Sequence, residues 1–510
     1  MSSGADVIVA ALEDAGVEVC FGLPGVHNLA LWEALRESSI RLVGVRHEQA
    51  AGYAADGYAR ATGRLGVALT TTGPGAANTL AAVGEAWASR SPVLVIATDI
   101  PTTLRRDGVY RGVLHETDGQ AAMFAPVVKA SLSGPEAIEQ AIAAALAVPA
   151  RPVYLEVATD LLRAPAGDPA PAEVRPAVTA RGGSVGGERP LLWVGGGARD
   201  QAVEVVALAE RLGAPVLETY GGRGIVPAGH PLRVGFPPHV PAAGALWDQA
   251  DVVISIGSDL DGMNTQNWAL PQPPRLLAIN VDPDDAGKNY RVDAHVGFDV
   301  EGDGDPWIDL HQVRAQACDG LDERALHFLD ALSFGLPHDV VLVCDMCIPG
   351  YWAGGFHPFG EPRRLLYPVG WGTLGFAFPA ALGAALAQRG PAVALCGDGG
   401  FLFAAGELAT VAQEQLPLTT VIVDDGGYGM LRFDQDQAGA RRFGVDLRTP
   451  DFEAVARAFG LQAETVDDLG DAFGEALARH VADPEPSVLV ARAEALVPPP
   501  TTSPRWYRRR

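Results

Sequence analysis

Short apolar runs recur along this chain. Each ends in a turn rich in glycine or acid, and apolar residues at helical spacing follow. That alternation marks βα units stacked into parallel sheets. Over residues 6 to 165 it predicts a helix from Val7 to Ala15, a strand from Val17 to Leu23 and a turn at Pro24-Gly25-Val26-His27-Asn28. A helix through Leu31 and Leu35 and a strand from Ile40 to Val45 come next. Arg46-His47-Glu48-Gln49-Ala50 then opens an alanine-rich helix running to Ala61. The strand Gly66 to Thr71 runs into Thr72-Gly73-Pro74-Gly75-Ala76-Ala77-Asn78, and strands at Val93 to Ala97 and Val153 to Val157 complete a first sheet. Arg163 to Gly187 is rich in Pro, Ala and Gly without periodicity and reads as a linker. A second α/β unit carries strands at Leu191 to Val194, Val252 to Ile256 and Leu276 to Val281. A third begins near Leu321, with a strand from Val340 to Cys344 and a helix opening at Gly372.

The densest chemistry lies between Val393 and Met430. A strand ends in Gly397-Asp398-Gly399-Gly400, a helical segment follows, and a strand from Leu418 to Val423 ends in Asp424-Asp425-Gly426-Gly427-Tyr428-Gly429-Met430. Parallel strands joined by a right-handed crossover end on one edge of the sheet. Asp398 and Asp425, 27 positions apart (425 − 398), therefore face one site. Glycines let backbone N–H groups approach a phosphate, and a helix N-terminus adds more. Two carboxylates beside such a cradle repel a bare phosphate, but they suit a divalent cation held between them and it. A structural βαβ unit without phosphate is the plainer alternative.

Composition narrows the classes. A chain of 510 residues has room for about three domains. Its net charge of −24 argues against nucleic acid or an anionic membrane as partner. No apolar run reaches membrane-spanning length, and Met1 to Asp6 lacks the pattern of a signal peptide, so a cytoplasmic protein is expected. Five cysteines do not make a disulfide framework, and Cys344 and Cys347 read as buried thiols at a strand end. Glu48 sits where a buried strand gives way to a small-residue helix. Desolvation is expected to raise its pKa, unless it only complements the helix dipole.

Taken together, Phe21-Gly22-Leu23-Pro24-Gly25, the segment from Arg46 to Arg60, Thr71 to Asn78, Gly372 to Phe376 and the Gly397 to Met430 unit resemble, in order, the motifs of thiamine diphosphate enzymes. The resemblance is to the acetolactate synthase and 2-oxo acid decarboxylase superfamily, which includes benzoylformate and pyruvate decarboxylases. It implies an α/β fold of three Rossmann-like parallel-sheet domains. These would be a pyrimidine-binding domain at 1–165, a central domain at 185–315 and a diphosphate- and Mg²⁺-binding domain at 321–500, with a basic tail at 501–510.

The resemblance also implies roles. Glu48 would hydrogen-bond the aminopyrimidine N1′ and drive the imino tautomer that deprotonates thiazolium C2, work suited to a carboxyl kept partly neutral. Pro24, Gly25, Thr72 and Asn78 would line that end of the cofactor. Gly372 and Thr373 would contact it, and Leu374 would prop it into its bent form. Gly397, Asp398, Gly399 and Gly400 would cradle the diphosphate with Asp425, Tyr428, Gly429 and Met430. Asp398, Asp425 and the Gly427 carbonyl would bind Mg²⁺. Asp424 and Asp425 stand where the family has an Asn pair; with Asp425 as the side-chain ligand, binding is expected to survive with one more negative charge on the metal's ligands. His115 and His27 are candidates for proton donation or substrate contact, with solvated loop histidines as the alternative.

The reaction implied is attack of the C2 carbanion on a 2-oxo acid, loss of CO₂ and an enamine, released as aldehyde or passed to an acceptor in a carboligation. Asp259 and Met263 replace the two arginines that hold FAD in acetolactate synthases, which argues against flavin. Asp434 stands where those enzymes have an acceptor-selecting Trp, and Val26 where pyruvate decarboxylases have a relay Asp. Pro24 to His27 with Leu114-His115-Glu116 resembles guanidino-oxo-acid decarboxylases more than those two groups, and their substrate is cationic. Asp424, Asp434, Asp436 and Glu116 would suit a cationic substrate or simply be solvated surface. In the family Glu48 and Asp398 come from different subunits, so a homodimer at least is expected, with a tetramer plausible.

Overall fold

The computed structural model describes residues 2–106, 108–167, 169–171, 182, 185–302 and 304–500. Three parallel sheets, each in its own α/β domain, follow one another along the chain. The first holds β1 (Val19–Gly22), β2 (Arg41–Gly44), β3 (Gly66–Thr70), β4 (Val93–Asp99), β5 (Ala130–Ser133) and β6 (Val153–Ala158) in the order β2-β1-β3-β4-β6-β5. The second holds β7 (Pro190–Val194), β8 (Val216–Glu218), β9 (Val252–Ile256), β10 (Leu276–Ile279) and β11 (Ala294–His295) in the order β11-β10-β9-β7-β8. The third holds β12 (Val341–Cys344), β13 (Leu365–Leu366), β14 (Ala392–Gly397), β15 (Leu418–Asp424), β16 (Gln462–Val466) and β17 (Ser487–Arg492) in the order β13-β12-β14-β15-β17-β16. The first and third sheets thus share one topology.

Each of those two sheets reverses direction of growth next to its first strand, between β1 and β3 and between β12 and β14. Ligands of open parallel sheets gather outside the carboxyl ends of the strands at such a point. The two domains are joined by a crossing of the Glu48–Thr62 and Ala377–Leu386 helices, and one apolar core runs through both. The crossing is close because both helices are made of small residues. A Cβ on Gly57 would lie 2.0 Å from the Ala380 carbonyl oxygen, and one on Gly383 1.9 Å from that of Ala54. Arg60 is buried in the same layer, bonded to Asp56 and Glu85, with its guanidinium over the Phe376 ring. Among the described residues no helix is long and apolar enough to cross a membrane.

The structure differs from the sequence expectation in particular places. β5 and β16 are half-exposed edge strands without an apolar run, and β8, β11 and β13 are too short to register as periodicity. The third-domain helix opens at Ala377, not Gly372. Gly372 and Gly375 adopt positive φ, and the N–H groups of Gly375 and Phe376 turn to the Asp345 carboxylate instead of entering a helix. Cys344 is buried, but Cys347 is partly exposed, and both are free thiols. Much of the linker, residues 168, 172–181 and 183–184, and the basic tail at 501–510 lie outside the described residues.

Candidate active site

The first cluster forms where β1 and β3 end. The Gly25 N–H donates to Asn28 Oδ1 at 2.7 Å, and the buried Asn28 amide donates back to the Leu23 carbonyl, which fixes the turn after Pro24. That turn brings His27 Nδ1 within 2.8 Å of Thr72 Oγ1, which also meets Thr98 Oγ1. Gly73 has φ +65, and a Cβ there would lie 2.9 Å from both Cβ and the carbonyl oxygen of His115. Glycine is therefore what lets the His115 turn close over this loop, and His115 itself takes φ +67. The His27 and His115 rings meet edge to face at 5.4 Å. Burial, with His115 alongside, lowers the His27 pKa. On the other side of the same loop, Glu48 is buried and its Oε2 accepts from Asn78 Nδ2 at 2.9 Å. Its Oε1 lies 3.3 Å from where a Gly75 side chain would begin.

Sequence reasoning missed what stands behind this cluster. The buried Gln120 accepts from the Gly73 N–H and donates to the Thr98 carbonyl and the Tyr154 hydroxyl. Glu156, pushed up to about 7 by burial and then by the charge of Asp99, completes the support. Gln120 belongs to no motif or periodic pattern, and although Tyr154 and Glu156 lie in the expected strand, only tertiary contact reveals that they support the loop.

The second cluster forms where β12, β14 and β15 end. Asp345, buried at the end of β12, accepts from the N–H groups of Met346, Gly375 and Phe376, and burial pushes its pKa up to about 6. A Cβ on Gly400 would lie 2.5 Å from its Oδ2. Asp345 therefore ties the Gly372–Gly375 loop to the turn after β14, a second role that sequence did not single out. That turn, Asp398–Phe401, begins at the end of β14. Asp398 Oδ1 accepts from the Gly399 N–H at 2.6 Å, while its buried Oδ2 has no partner. Its pKa is pushed up to about 7 by burial and then by the charge of Asp425. Asp425 rises to about 6 through burial, opposed by Arg432, whose Nη1 meets the Asp425 carbonyl at 2.8 Å and Oδ1 at 3.3 Å. Tyr428 packs on Gly399, Gly429 opens the Gly429–Gln437 helix, and Met430 packs against the core beneath. The Gly427 carbonyl accepts from the Gly429 N–H, which leaves it one lone pair.

An orphaned carboxylate oxygen beside a second raised carboxyl is an arrangement that a cation relieves. Among the described residues no three His, Cys, Asp or Glu are grouped to hold a metal. The expected set has two carboxylates and a carbonyl, so its remaining ligands would come from a bound phosphate or water. Alongside, Thr373 Oγ1 donates to Glu85 at 3.0 Å, and Trp371 packs on Gly84, tethering the Gly372–Leu374 loop to the first domain. Glu48 and Asp398 each find their hydrogen-bond partners within their own domain.

Of four acids expected to suit a cation, three are engaged. Glu116 accepts from the N–H groups of Arg111 and Val113, Asp436 pairs with Arg442, and Asp424 accepts from Thr449. Asp434 stands exposed on the Gly429–Gln437 helix. In the central domain, Asp259 pairs with Arg90 at 2.8 Å and Lys288 at 2.6 Å. Burial alone would raise its pKa, but Arg90 and Lys288 hold it below the usual value.

Two strand-end clusters, one of a carboxyl with two imidazoles and one of paired aspartates in glycine-rich turns, lie on sheets of one topology with a central domain between them in the chain. Models of thiamine pyrophosphate enzymes match all three domains: the N-terminal TPP binding domain over residues 2–123, the central domain over 186–302 and the C-terminal TPP binding domain over 347–491. The chain belongs to this family of enzymes. It is 33% identical over 508 residues to a Pseudomonas aeruginosa protein named probable 2-ketoarginine decarboxylase AruI, spanning 91% of this chain and 89% of that one. It is 31% identical to an acetolactate synthase of Mycobacterium bovis, spanning 93% of this chain and 86% of that one. A probable acetolactate synthase large subunit of Methanocaldococcus jannaschii is 29% identical, spanning 97% and 93%.

Proposed function

We propose that this chain is a thiamine diphosphate- and Mg²⁺-dependent decarboxylase that converts a 2-oxo acid to an aldehyde. One observation carries the reading: the Thr72–Gly75 loop brings a carboxyl, Glu48, and two imidazoles, His27 and His115, to one strand-end crevice. When bound, the cofactor would supply the nucleophilic carbon and the cationic ring that takes up the electron pair left by departing CO₂. Glu48, oriented by Asn78, holds the aminopyrimidine nitrogen. His115 and His27 move the proton that completes the aldehyde. Pro24, Gly25 and Thr72 shape this end. Asp398, Asp425 and the Gly427 carbonyl hold Mg²⁺, and the glycines at 397, 399 and 400 admit the diphosphate. Arg432 offsets the second aspartate's charge. Leu374 backs the cofactor on its apolar side.

A substrate with a cationic side chain is supported by the name of the Pseudomonas relative and by Asp434, the one free acid of the four. Asp259 and Met263 stand where acetolactate synthases have the arginines that hold FAD, and Arg90 and Lys288 are taken up by Asp259, which supports reading the central domain as flavin-free. A homodimer, with Glu48 and Asp398 of one site coming from different copies, fits the domain-bound contacts of both.

Thiamine diphosphate with Mg²⁺ is expected to raise the melting temperature, because a ligand bound only by the native state stabilises it. Asp398→Ala is expected to abolish the rise. An undiminished rise in that variant would sink the metal assignment.

A further inference from the structure

We infer that Glu407, in the diphosphate domain, is a positioning residue for Glu48 of the same chain. The inference rests on the reading that Glu48 acts on the cofactor. Glu407 is 1% exposed and ends the short Ala405–Glu407 turn. Its Oε1 accepts from the backbone N–H groups of Arg46 at 2.9 Å and His47 at 3.0 Å. Its Oε2 accepts from Thr410 Oγ1 at 2.6 Å and lies 3.2 Å from the Arg46 nitrogen. Those two N–H groups belong to the residues immediately ahead of Glu48. His47 is the extended residue from which the Glu48–Thr62 helix starts.

A buried carboxylate is costly unless its oxygens are fully used, and burial raises the Glu407 pKa. The Arg46 guanidinium does not pair with it. That group reaches the Gly44 carbonyl and Gln413 instead. Glu407 spends its oxygens on main-chain N–H groups, which fixes the path of the backbone into Glu48 and not merely the distance between domains.

The other end of the link is Asp398. Successive backbone hydrogen bonds, from Leu402 to Asp398, Phe403 to Gly400, Ala404 to Phe401 and Glu407 to Ala404, join the Asp398 turn to Glu407 as one run of tight turns. The segment that holds the diphosphate end in this chain therefore also sets the backbone that presents Glu48.

The test uses full-length enzyme loaded with thiamine diphosphate and Mg²⁺, without substrate. Exchange of the cofactor C2 hydrogen with deuterium is followed by quench and NMR, and cofactor affinity is measured in parallel. Glu407→Ala is expected to slow exchange about tenfold or more, since small misplacements of a reacting group are costly, while cofactor affinity stays near wild type. Glu407→Gln is expected to exchange close to the wild-type rate, because its carbonyl oxygen still accepts both N–H groups and its amide can donate to Thr410. Arg41→Ala, which severs the neighbouring exposed pair with Glu414, is expected to change nothing. Should alanine prevent folding, Glu407→Asp withdraws the oxygens while keeping the charge and is expected to slow exchange likewise. Wild-type exchange in Glu407→Ala or Glu407→Asp, beside a silenced Glu48→Gln, would overturn the positioning role alone. Equal losses in Glu407→Ala and Glu407→Gln would overturn it too. Wild-type exchange in Glu48→Gln would overturn the reading of Glu48 and this inference with it.

Discussion

Substituting Gly57 by alanine adds one methyl group where the Glu48–Thr62 helix meets the Ala377–Leu386 helix. The new carbon would lie 2.0 Å from the Ala380 carbonyl oxygen and 2.7 Å from its carbon. Non-bonded atoms settle at about 3.5 Å, so the helices must part by about 1.5 Å along that line. The backbone on both sides is helical and cannot rotate away as a side chain would. Helix propensity favours alanine by about 1 kcal/mol. Overpacking costs up to about 3 kcal/mol, and here the displaced layer includes the edge contact of Tyr53 with Phe376 and the buried Arg60. The net expectation is a loss of about 2 kcal/mol. For domains of this size each kcal/mol shifts the melting point by about 2–4 °C, which gives a fall of about 4–8 °C. The assay is thermal unfolding of apo protein, with Gly287→Ala as control, since nothing lies within 4 Å of that position. A Gly57→Ala protein that melts at or above wild type would refute the packing argument.

Two other perturbations follow from buried charge. Arg60→Met leaves Asp56 and Glu85 buried without their cation, and losing one partner of such a group costs about 3–5 kcal/mol. The urea midpoint should fall accordingly, and an unchanged midpoint would contradict the network. His357 is buried near Arg223 and Arg233, and burial first, then those charges, hold its pKa down at about 4 against an ordinary 6.5. The unfolded chain then binds the proton first, so this group's stability is intact above pH 6.5 and is lost as pH falls through 4, by up to about 3 kcal/mol. His357→Gln should flatten that acid limb in pH-dependent unfolding, and an unaltered limb would reject the assignment.

The domain order and both strand-end clusters were legible because they are local. A strand, a glycine turn and a helix start are contiguous, so Gly397 to Gly400 and Thr72 to Asn78 announce themselves. The Gly25 turn and the Gly73 loop could be read as turns, but not as a pair that sets two imidazoles edge to face, because residues 27 and 115 meet only through the fold. Asp345, Gln120 and Glu407 were invisible for the same reason, each being one polar residue whose partners in the site lie tens to hundreds of positions away. The edge strands failed differently: β16, Gln462–Val466, is held by pairing with β17 and not by an apolar run. β17 itself, Ser487–Arg492, is buried along an apolar run.

The central claim is the decarboxylation that Glu48 serves. Its most direct test is CO₂ release from a panel of 2-oxo acids, including a guanidino acid and pyruvate, with thiamine diphosphate and Mg²⁺, comparing wild type with Glu48→Gln and identifying products by mass spectrometry. The account predicts release with wild type, an aldehyde as product, preference for the cationic acid and near-complete loss in Glu48→Gln. Ketol products would assign the chain to carboligation instead. Release that survives Glu48→Gln, or none from any acid with cofactor bound, would contradict the account.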